Sequence, residues 1–385
     1  MHILYPFPMH LSNGYSYMLS ILQFLNALAK FHTVEILSLD SREEIEFFFQ
    51  DTLNIKMNNS LIITQVSNKF IFLKSNKLFF FKNLSKIIKS FDQDKDLIIY
   101  TRDFKQMRLC LKSFKNRKNM KFVFEVHQIL SENYRKRGDQ KNSKKMYNLE
   151  SYVFKNIDFL VAITTTLRDE IIRKFDTRIN TDLILPVGFN QDFIKEYNLK
   201  KDIDIIYTGN FSEWKGLDIL IEAIKIVKNK FKRDISTYII GARNTEIDKF
   251  NKLVKEKNLQ ENIKILERIK HKEIIKFLRR AHIGALPNKY LDDGAMYTSP
   301  LKLYEYLGIG LKVVASRLPS IQSEIEESLV YFFTPENPVD LADKIEFALN
   351  DKKFSQKKVK DFARLYTWEA RALKFSNFFN ENTSN

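Results

Sequence analysis

The chain has 385 residues, 44% of them hydrophobic, and 63 Lys+Arg against 47 Asp+Glu give a formal net charge of +16. That length and apolar content predict two globular domains of ordinary size, and ten Gly and eight Pro exclude a fibrous or linker-rich chain. The single cysteine, Cys110, lies between two leucines as a packing residue, excludes an intramolecular disulfide and fits a reducing compartment.

The chain opens on a short strand, Ile3-Leu4-Tyr5, that meets Pro6 and Pro8 at once, which is not the apolar core of a signal peptide. No apolar run approaches the roughly 20 residues of a spanning helix, so a cytoplasmic protein is expected. A loop from Pro6 to Ser16 carries Asn13-Gly14. The helix expected over Tyr17–Phe31 follows, with Leu19, Leu22, Phe24, Leu25, Leu28 and Ala29 at helical spacing. Val34 to Leu39 is the next strand, ended by Asp40. Over residues 41–95 strand candidates (Leu61-Ile62-Ile63) and helix candidates (Leu84 to Phe91) alternate. Leu97 to Tyr100 and Phe122 to Val126 are strands, the second ending at His127. Residues 131–146, charged and containing Gly138, are expected as a mobile surface loop. A helix over Leu149–Lys155 leads to the strand Phe159–Ile163, and Thr165 or Thr166 is expected to cap the next helix.

A short strand at Leu183–Leu185 precedes the turn Pro186-Val187-Gly188-Phe189-Asn190, and the polar residues 191–202 are expected to connect two domains. A second series then begins: strand Asp204–Tyr207, helix Gly216–Phe231, and strands Ser236–Ile240, Ile263–Leu266, His282–Leu286 and Lys312–Ala315. Residues 381–385 are expected to fray. The alternation predicts an α/β protein with parallel sheets: two Rossmann-like domains facing each other across a cleft. The expected boundaries are 1–188, 189–365 and a C-terminal helix with a frayed tail at 366–385, crossing back to the first domain. Ligands bind beyond the carboxyl ends of the strands in such sheets, a rule that gathers Gly14, His127, Gly209, Lys215 and Ser299 to Glu305 around one cleft.

The most informative stretch is Ser299-Pro300-Leu301-Lys302-Leu303-Tyr304-Glu305-Tyr306-Leu307-Gly308, which reads as a turn feeding a helix and then a buried strand. Backbone N–H groups at a helix N-terminus attract an anion. Lys302 in the first turn opposes the helix macrodipole, a conflict that a bound anion resolves. Glu305, three residues on, lies on a neighbouring part of the same face. Phosphates at the helix end and ribose hydroxyls on the carboxylate describe a nucleotide pocket.

Three segments together resemble the GT-B nucleotide-sugar glycosyltransferases, specifically glycosyltransferase family 4: Leu185-Pro186-Val187-Gly188-Phe189-Asn190, Tyr207-Thr208-Gly209-Asn210-Phe211-Ser212-Glu213-Trp214-Lys215-Gly216-Leu217-Asp218, and Tyr297 to Ser316. Glu150 ahead of Asp158 to Thr164 resembles a fourth segment of that family. The resemblance implies a retaining, metal-independent transferase of the hexosyltransferase type with no cofactor, using a nucleotide diphosphate sugar as donor substrate. It implies that Lys215 binds the diphosphate, that Glu305 binds the ribose, and that the turn Thr298-Ser299-Pro300-Leu301 supplies amides to the phosphates. Gly14 would let the first loop approach the donor, and His127 would sit near the sugar and its reacting bond. Two positions depart from the family pattern: Tyr297 stands where a Glu is frequent, with Asp292 and Asp293 nearby as sugar contacts, and Asn210 stands where an Arg is frequent, with Lys302 as the compensating cation. Base choice is expected near Arg268-Ile269.

Residues 101–150 carry 14 Lys+Arg against 5 Asp+Glu, a net of +9. Such a face attracts anionic lipid or nucleic acid; a membrane surface is the first reading and compositional bias a close second. Aromatic residues do not interleave with the basic ones as a stacking platform needs, so nucleic acid is the weakest partner. The expected function is sugar transfer to a glycan or lipid-linked acceptor in cell-surface polysaccharide or lipopolysaccharide biosynthesis, in the cytoplasm or at the inner face of the membrane. The alternatives are a nucleotide-sugar epimerase or hydrolase of the same architecture, and a basic nucleic-acid-binding α/β protein.

Overall fold

The computed structural model describes residues 1–13, 16–66, 76–92, 94–177, 181–290, 297 and 299–383. The chain forms two compact units: Met1–Gly188 with Trp368–Asn385, and Phe189–Thr367.

Unit 1 is built on seven parallel strands, β1 (His2–Pro6), β2 (Thr33–Ser38), β3 (Leu61–Gln65), β4 (Leu97–Thr101), β5 (Met120–Val126), β6 (Phe159–Ala162) and β7 (Asp182–Ile184), in the order β3-β2-β1-β4-β5-β6-β7. β4 and β6 are buried along their whole lengths, as expected for strands covered by helices on both faces. The helix Ser16–Leu28 packs its apolar side (Leu22, Phe24, Leu25, Leu28) into the same core that takes Trp368, Ala372, Phe375 and Phe379 from the helix Trp368–Thr383. Gly188 admits the Trp368 ring, since a Cβ there would lie 2.6 Å from its Cε3.

Unit 2 has six parallel strands, β8 (Ile203–Thr208), β9 (Thr237–Ala242), β10 (Ile263–Glu267), β11 (Ala281–Leu286), β12 (Lys312–Ser316) and β13 (Tyr331–Phe333), in the order β10-β9-β8-β11-β12-β13. In both sheets the strand order reverses beside the first strand, between β1 and β4 and between β8 and β11. Each unit is therefore a Rossmann-like fold with a switch point at which loops splay apart.

Three local expectations are corrected. Residues 131–146 are not a loop: they lie in the helices Leu130–Lys136 and Gln140–Phe154, separated by a turn at Gly138 (φ +77°). Buried Glu150 accepts from the amides of Leu130 (2.6 Å) and Ser131 (3.3 Å), Asp139 caps the second helix, and Glu132 is paired with Lys174 and Arg135. These partners turn a charged stretch into ordered helix. The cap of the helix Thr165–Phe175 is Thr164, not Thr165 or Thr166; its extended backbone points Oγ1 at the Leu167 amide, 3.2 Å away. Residues 191–202 are not a bare connection, because the turn Gln191–Ile194 buries Phe193 within unit 2, and Arg279 lies over the Tyr197 ring.

Candidate functional site

In unit 2 the candidate site forms beyond the carboxyl ends of β8 and β11. β8 runs out at Thr208, and Gly209 takes φ +136°, a backbone state closed to most side chains. A Cβ at Gly209 would occupy the space held by the Lys302 ammonium. Lys302 Nζ lies 3.4 Å from Tyr207 Oη and over that ring. Tyr207 in turn donates to the Asn210 carbonyl at 2.8 Å. The chain then closes a 3₁₀ turn, Glu213–Lys215, and Gly216 starts the helix Leu217–Phe231 from the left-handed region. This turn is tied to the segment after β11, since the Lys289 amide donates to the Trp214 carbonyl at 2.8 Å.

Lys215 is only 8% exposed, and its Nζ sits 3.3 Å from the centroid of the Trp214 ring. Burial, and then the nearby Lys302 charge, push its pKa well below the usual lysine value. Burial likewise lowers Lys302, to about 8, with Glu305 opposing. Two ammonium groups thus share a poorly solvated place.

Helix Leu301–Ile309 starts at Pro300 with no side-chain cap. Ser299 and Pro300 lead into it, and Leu301 and Lys302 form its first turn. Tyr306 Oη, 2.9 Å from the Thr208 amide, pins this helix to the end of β8. Glu305 is buried on the helix, and its Oε1 lies 2.8 Å from His271 Nε2. Burial opposes charge on His271, but the hydrogen bond and charge of Glu305 prevail and raise its pKa. Gly209, Lys215, Ser299, Pro300, Leu301, Lys302 and Glu305 are all in unit 2, and Tyr306 and Lys302 link the helix to the β8 end. Asp292, Asp293 and Thr298 lie outside the described residues, as does Gly14. At Arg268 the backbone amide is already spent on the Ala242 carbonyl, 3.1 Å away.

His127 belongs to unit 1, just past β5. Its Nε2 lies 2.7 Å from Oε1 of Glu125. Residues two apart on a strand share a face, so a Glu two positions before a strand-end His was the legible signal for this pair. Arg102, after β4, meets the same carboxylate at 2.6 Å, and Arg371, from the helix Trp368–Thr383, at 2.9 Å. Burial, Arg102 and Arg371 together pull the imidazole pKa down to about 4 against the Glu125 carboxylate. The other strand-end loop of interest is held by Asp40: its carboxylate accepts from the Leu11 amide (2.6 Å), Ser12 Oγ (2.5 Å) and Ser38 Oγ (2.9 Å), with His10 Nδ1 at 3.2 Å. Asp40 thereby fixes the turn Leu11–Asn13 that leads to Gly14. Sequence reasoning singled out His127, Lys215, Lys302 and Glu305 as candidates; it did not single out Glu125, His271, Arg371 or the anchoring role of Asp40.

Two family models match the chain. The family model for glycosyl transferases group 1 matches residues 189–364, and that for Glycosyltransferase Family 4 matches residues 19–184. The amylovoran biosynthesis glycosyltransferase AmsK of Erwinia amylovora is 29% identical over 37% of this chain and 36% of its own length. An uncharacterized glycosyltransferase of Methanocaldococcus jannaschii is 22% identical over 63% of this chain and 64% of its own length. The chain thus spans 36% and 64% of these curated relatives. Among solved structures, sucrose-phosphate synthase from Thermosynechococcus elongatus superposes with a TM-score of 0.74 at 16% identity, covering 100% of this chain and 99% of its own. HepE of Anabaena in complex with UDP gives 0.74 at 14% identity, over 99% and 100%. At these identities the structural likeness establishes the fold.

Proposed function

The chain belongs to the family 4 glycosyltransferases of GT-B fold, and on that premise we propose that it moves a sugar, with retention and without a metal, from a nucleoside diphosphate donor to a glycan or lipid-linked acceptor. The observation that carries the donor assignment is the pair of lysines, buried Lys215 and half-buried Lys302, neighbouring an uncapped helix N-terminus. The Lys302 charge lowers the proton affinity of Lys215, and a polyanion such as a diphosphate stabilises both amines in their charged form. HepE, a structural neighbour, has been solved with UDP and with UDP and glucose, which supports a donor of the same chemical class here.

In this reading the diphosphate takes the amides of Ser299, Leu301 and Lys302 and the two ammoniums, and Glu305 takes the ribose hydroxyls. As the glycosidic bond breaks, negative charge grows on the leaving phosphate oxygen. Donors fixed in advance at that oxygen stabilise the transition state more than the ground state. The acceptor hydroxyl attacks C1 from the leaving-group side, and its proton passes to the departing phosphate oxygen. We assign His127 to the sugar end of the donor, as the family resemblance implies. Lys302 stands in for the cation that Asn210 does not provide.

The lipid-linked acceptor rests on a separate observation. Arg135, Lys136, Lys144 and Lys145 are exposed on two helices, Leu130–Lys136 and Gln140–Phe154, that pack together, and Arg137 is exposed at the C-cap of the first. An ordered basic surface of this kind docks on anionic lipid. Replacing the five by Ser is expected to abolish binding to vesicles containing phosphatidylglycerol; unchanged binding removes the membrane assignment.

The donor reading is tested by thermal shift against a panel of nucleoside diphosphates and nucleotide sugars. A ligand at about 100 times its Kd adds roughly 2.7 kcal/mol to stability. A selective shift with one donor, lost in Lys215→Ala and Glu305→Ala, is the expected result. A folded sample that responds to none of them refutes it.

A further inference from the structure

We infer that Glu125 and Arg371 are positioning residues for His127: the carboxylate accepts a hydrogen bond from Nε2–H of the imidazole, and a guanidinium from the helix Trp368–Thr383 holds that carboxylate in place, leaving Nδ1 as the working acceptor. This inference rests on the assignment of His127 to the transfer reaction.

The geometry fixes the tautomer. Glu125 is fully buried, and its Oε1 receives three groups: Arg102 Nη2, Arg371 Nη2 and His127 Nε2. An ionised carboxylate only accepts, so the nitrogen 2.7 Å from it carries a proton. Burial works against that ionisation, but Arg371 and His127 more than offset it and hold Glu125 below the usual carboxylate range. The groups facing the imidazole are thus one carboxylate from its own strand, Arg102 from the loop after β4 and Arg371 from the last helix. Tyr5 of β1 and Asp103 lie in the same electrostatic neighbourhood as Arg102 and Glu125. Two guanidiniums against one carboxylate leave an excess positive charge, which disfavours a second proton on His127. The ring is therefore neutral near pH 7, with a lone pair on Nδ1 available to a hydroxyl.

Arg371 is itself held rigidly. Its Nε donates to the Pro186 carbonyl at 2.8 Å, Nη2 reaches the Leu185 carbonyl at 3.3 Å, and the guanidinium stacks on Phe24 with 4.1 Å to the ring centroid. Arg371 thus joins three parts of unit 1: the end of β7, the first helix and the strand that carries His127. A residue 246 positions from Glu125 sets the state of the imidazole.

The test is a pair of variants with opposite electrostatic signs, Glu125→Gln and Arg371→Met, read two ways on the full chain. The first readout is the nitrogen NMR spectrum of histidine-labelled protein, with the His127 signals identified by their loss in His127→Gln. In the wild type the expected spectrum is that of a neutral Nε2–H ring. In Glu125→Gln the ring is expected to lose this tautomer preference. In Arg371→Met its titration is expected to move to higher pH, because a neighbouring positive charge is gone. The second readout is the acid limb of kcat against pH with the donor identified by thermal shift, expected to follow the same direction in Arg371→Met and to be unmoved in the conservative Arg371→Lys. Should Glu125→Gln fail to fold, the Arg371 pair alone decides. An imidazole spectrum indifferent to both substitutions overturns the inference. A spectrum that responds while turnover does not leaves the network standing and overturns the catalytic assignment of His127 instead.

Discussion

His271 Nε2 lies 2.8 Å from Glu305 Oε1, with both side chains almost wholly shielded from water. The carboxylate assigned to ribose is therefore already oriented before any ligand arrives. Preorganisation of this kind lowers the ordering cost of binding. Because the His271 pKa is raised above 6.5 in the folded state, the charged pair contributes full stability below pH 6.5, and the contribution fades as pH rises through the folded value. The thermal midpoint of the wild type is expected to decline across that window relative to His271→Gln. Coincident pH profiles of the two proteins would show that the pair is not ionic.

Lys215 is a cation that the free protein keeps away from water. Lys215→Met is expected to leave the unliganded protein as stable as the wild type or more so, because a desolvation penalty disappears. The same substitution is expected to weaken nucleoside diphosphate binding by about 1.5–3 kcal/mol, the range for hydrogen bonds to charged groups. Calorimetric titration and thermal unfolding on one preparation check both halves.

Gly209 and Gly216 are predicted to fail in different ways. An alanine methyl at Gly209 displaces the Lys302 ammonium, the end of a flexible side chain, so Gly209→Ala is expected to fold and bind donor poorly. At Gly216 (φ +65°) the methyl meets the Pro287 carbonyl, which is backbone. Gly216→Ala is expected to lose at least about 1 kcal/mol of stability, measured by urea unfolding.

Asp40→Ala strands the Leu11 amide and two serine hydroxyls. A cost of about 1–3 kcal/mol is expected, together with a fall in kcat/KM as the turn before Gly14 loosens. Burial favours the neutral form of Asp40, but its hydrogen bonds from Ser12, Leu11 and Ser38 prevail and lower the pKa. Its stabilisation is therefore present above pH 3.8 and lost as pH falls through the folded value. An acid unfolding midpoint equal in wild type and variant would argue against this latch.

Local pattern carried much of the architecture. β1, β2, β4, β5 and β8 to β12 lie within two residues of the expected apolar runs, because parallel strands covered on both faces are continuous hydrophobic segments. The two residues proposed for the donor, Lys215 and Glu305, could be singled out for a related reason: they lie in contiguous turn-to-helix segments whose chemistry is local. The helical order of residues 131–146 was not legible, since it depends on Glu150 and Lys174 reaching back to the start of that stretch. Arg371, which holds the His127 partner Glu125, and His271, the partner of Glu305, were hidden for the same cause. Arg371 and His271 are ordinary helix residues in sequence, and only tertiary folding gives each its carboxylate. The correct cap, Thr164, was one residue away from the expected ones, a distinction set by a single extended dihedral.

Unit 2 is inserted within unit 1, and its two ends meet at the Phe189–Thr367 bridge. A ribosome making this chain delivers strands β1 to β7 long before Trp368, Ala372, Phe375 and Phe379. Until then Phe24, Tyr100 and Phe159 lack aromatic partners they have in the finished core. Unit 2, made of one uninterrupted segment, is complete earlier. Unit 1, although it begins first, therefore receives its final core residues only after all of unit 2 has been made.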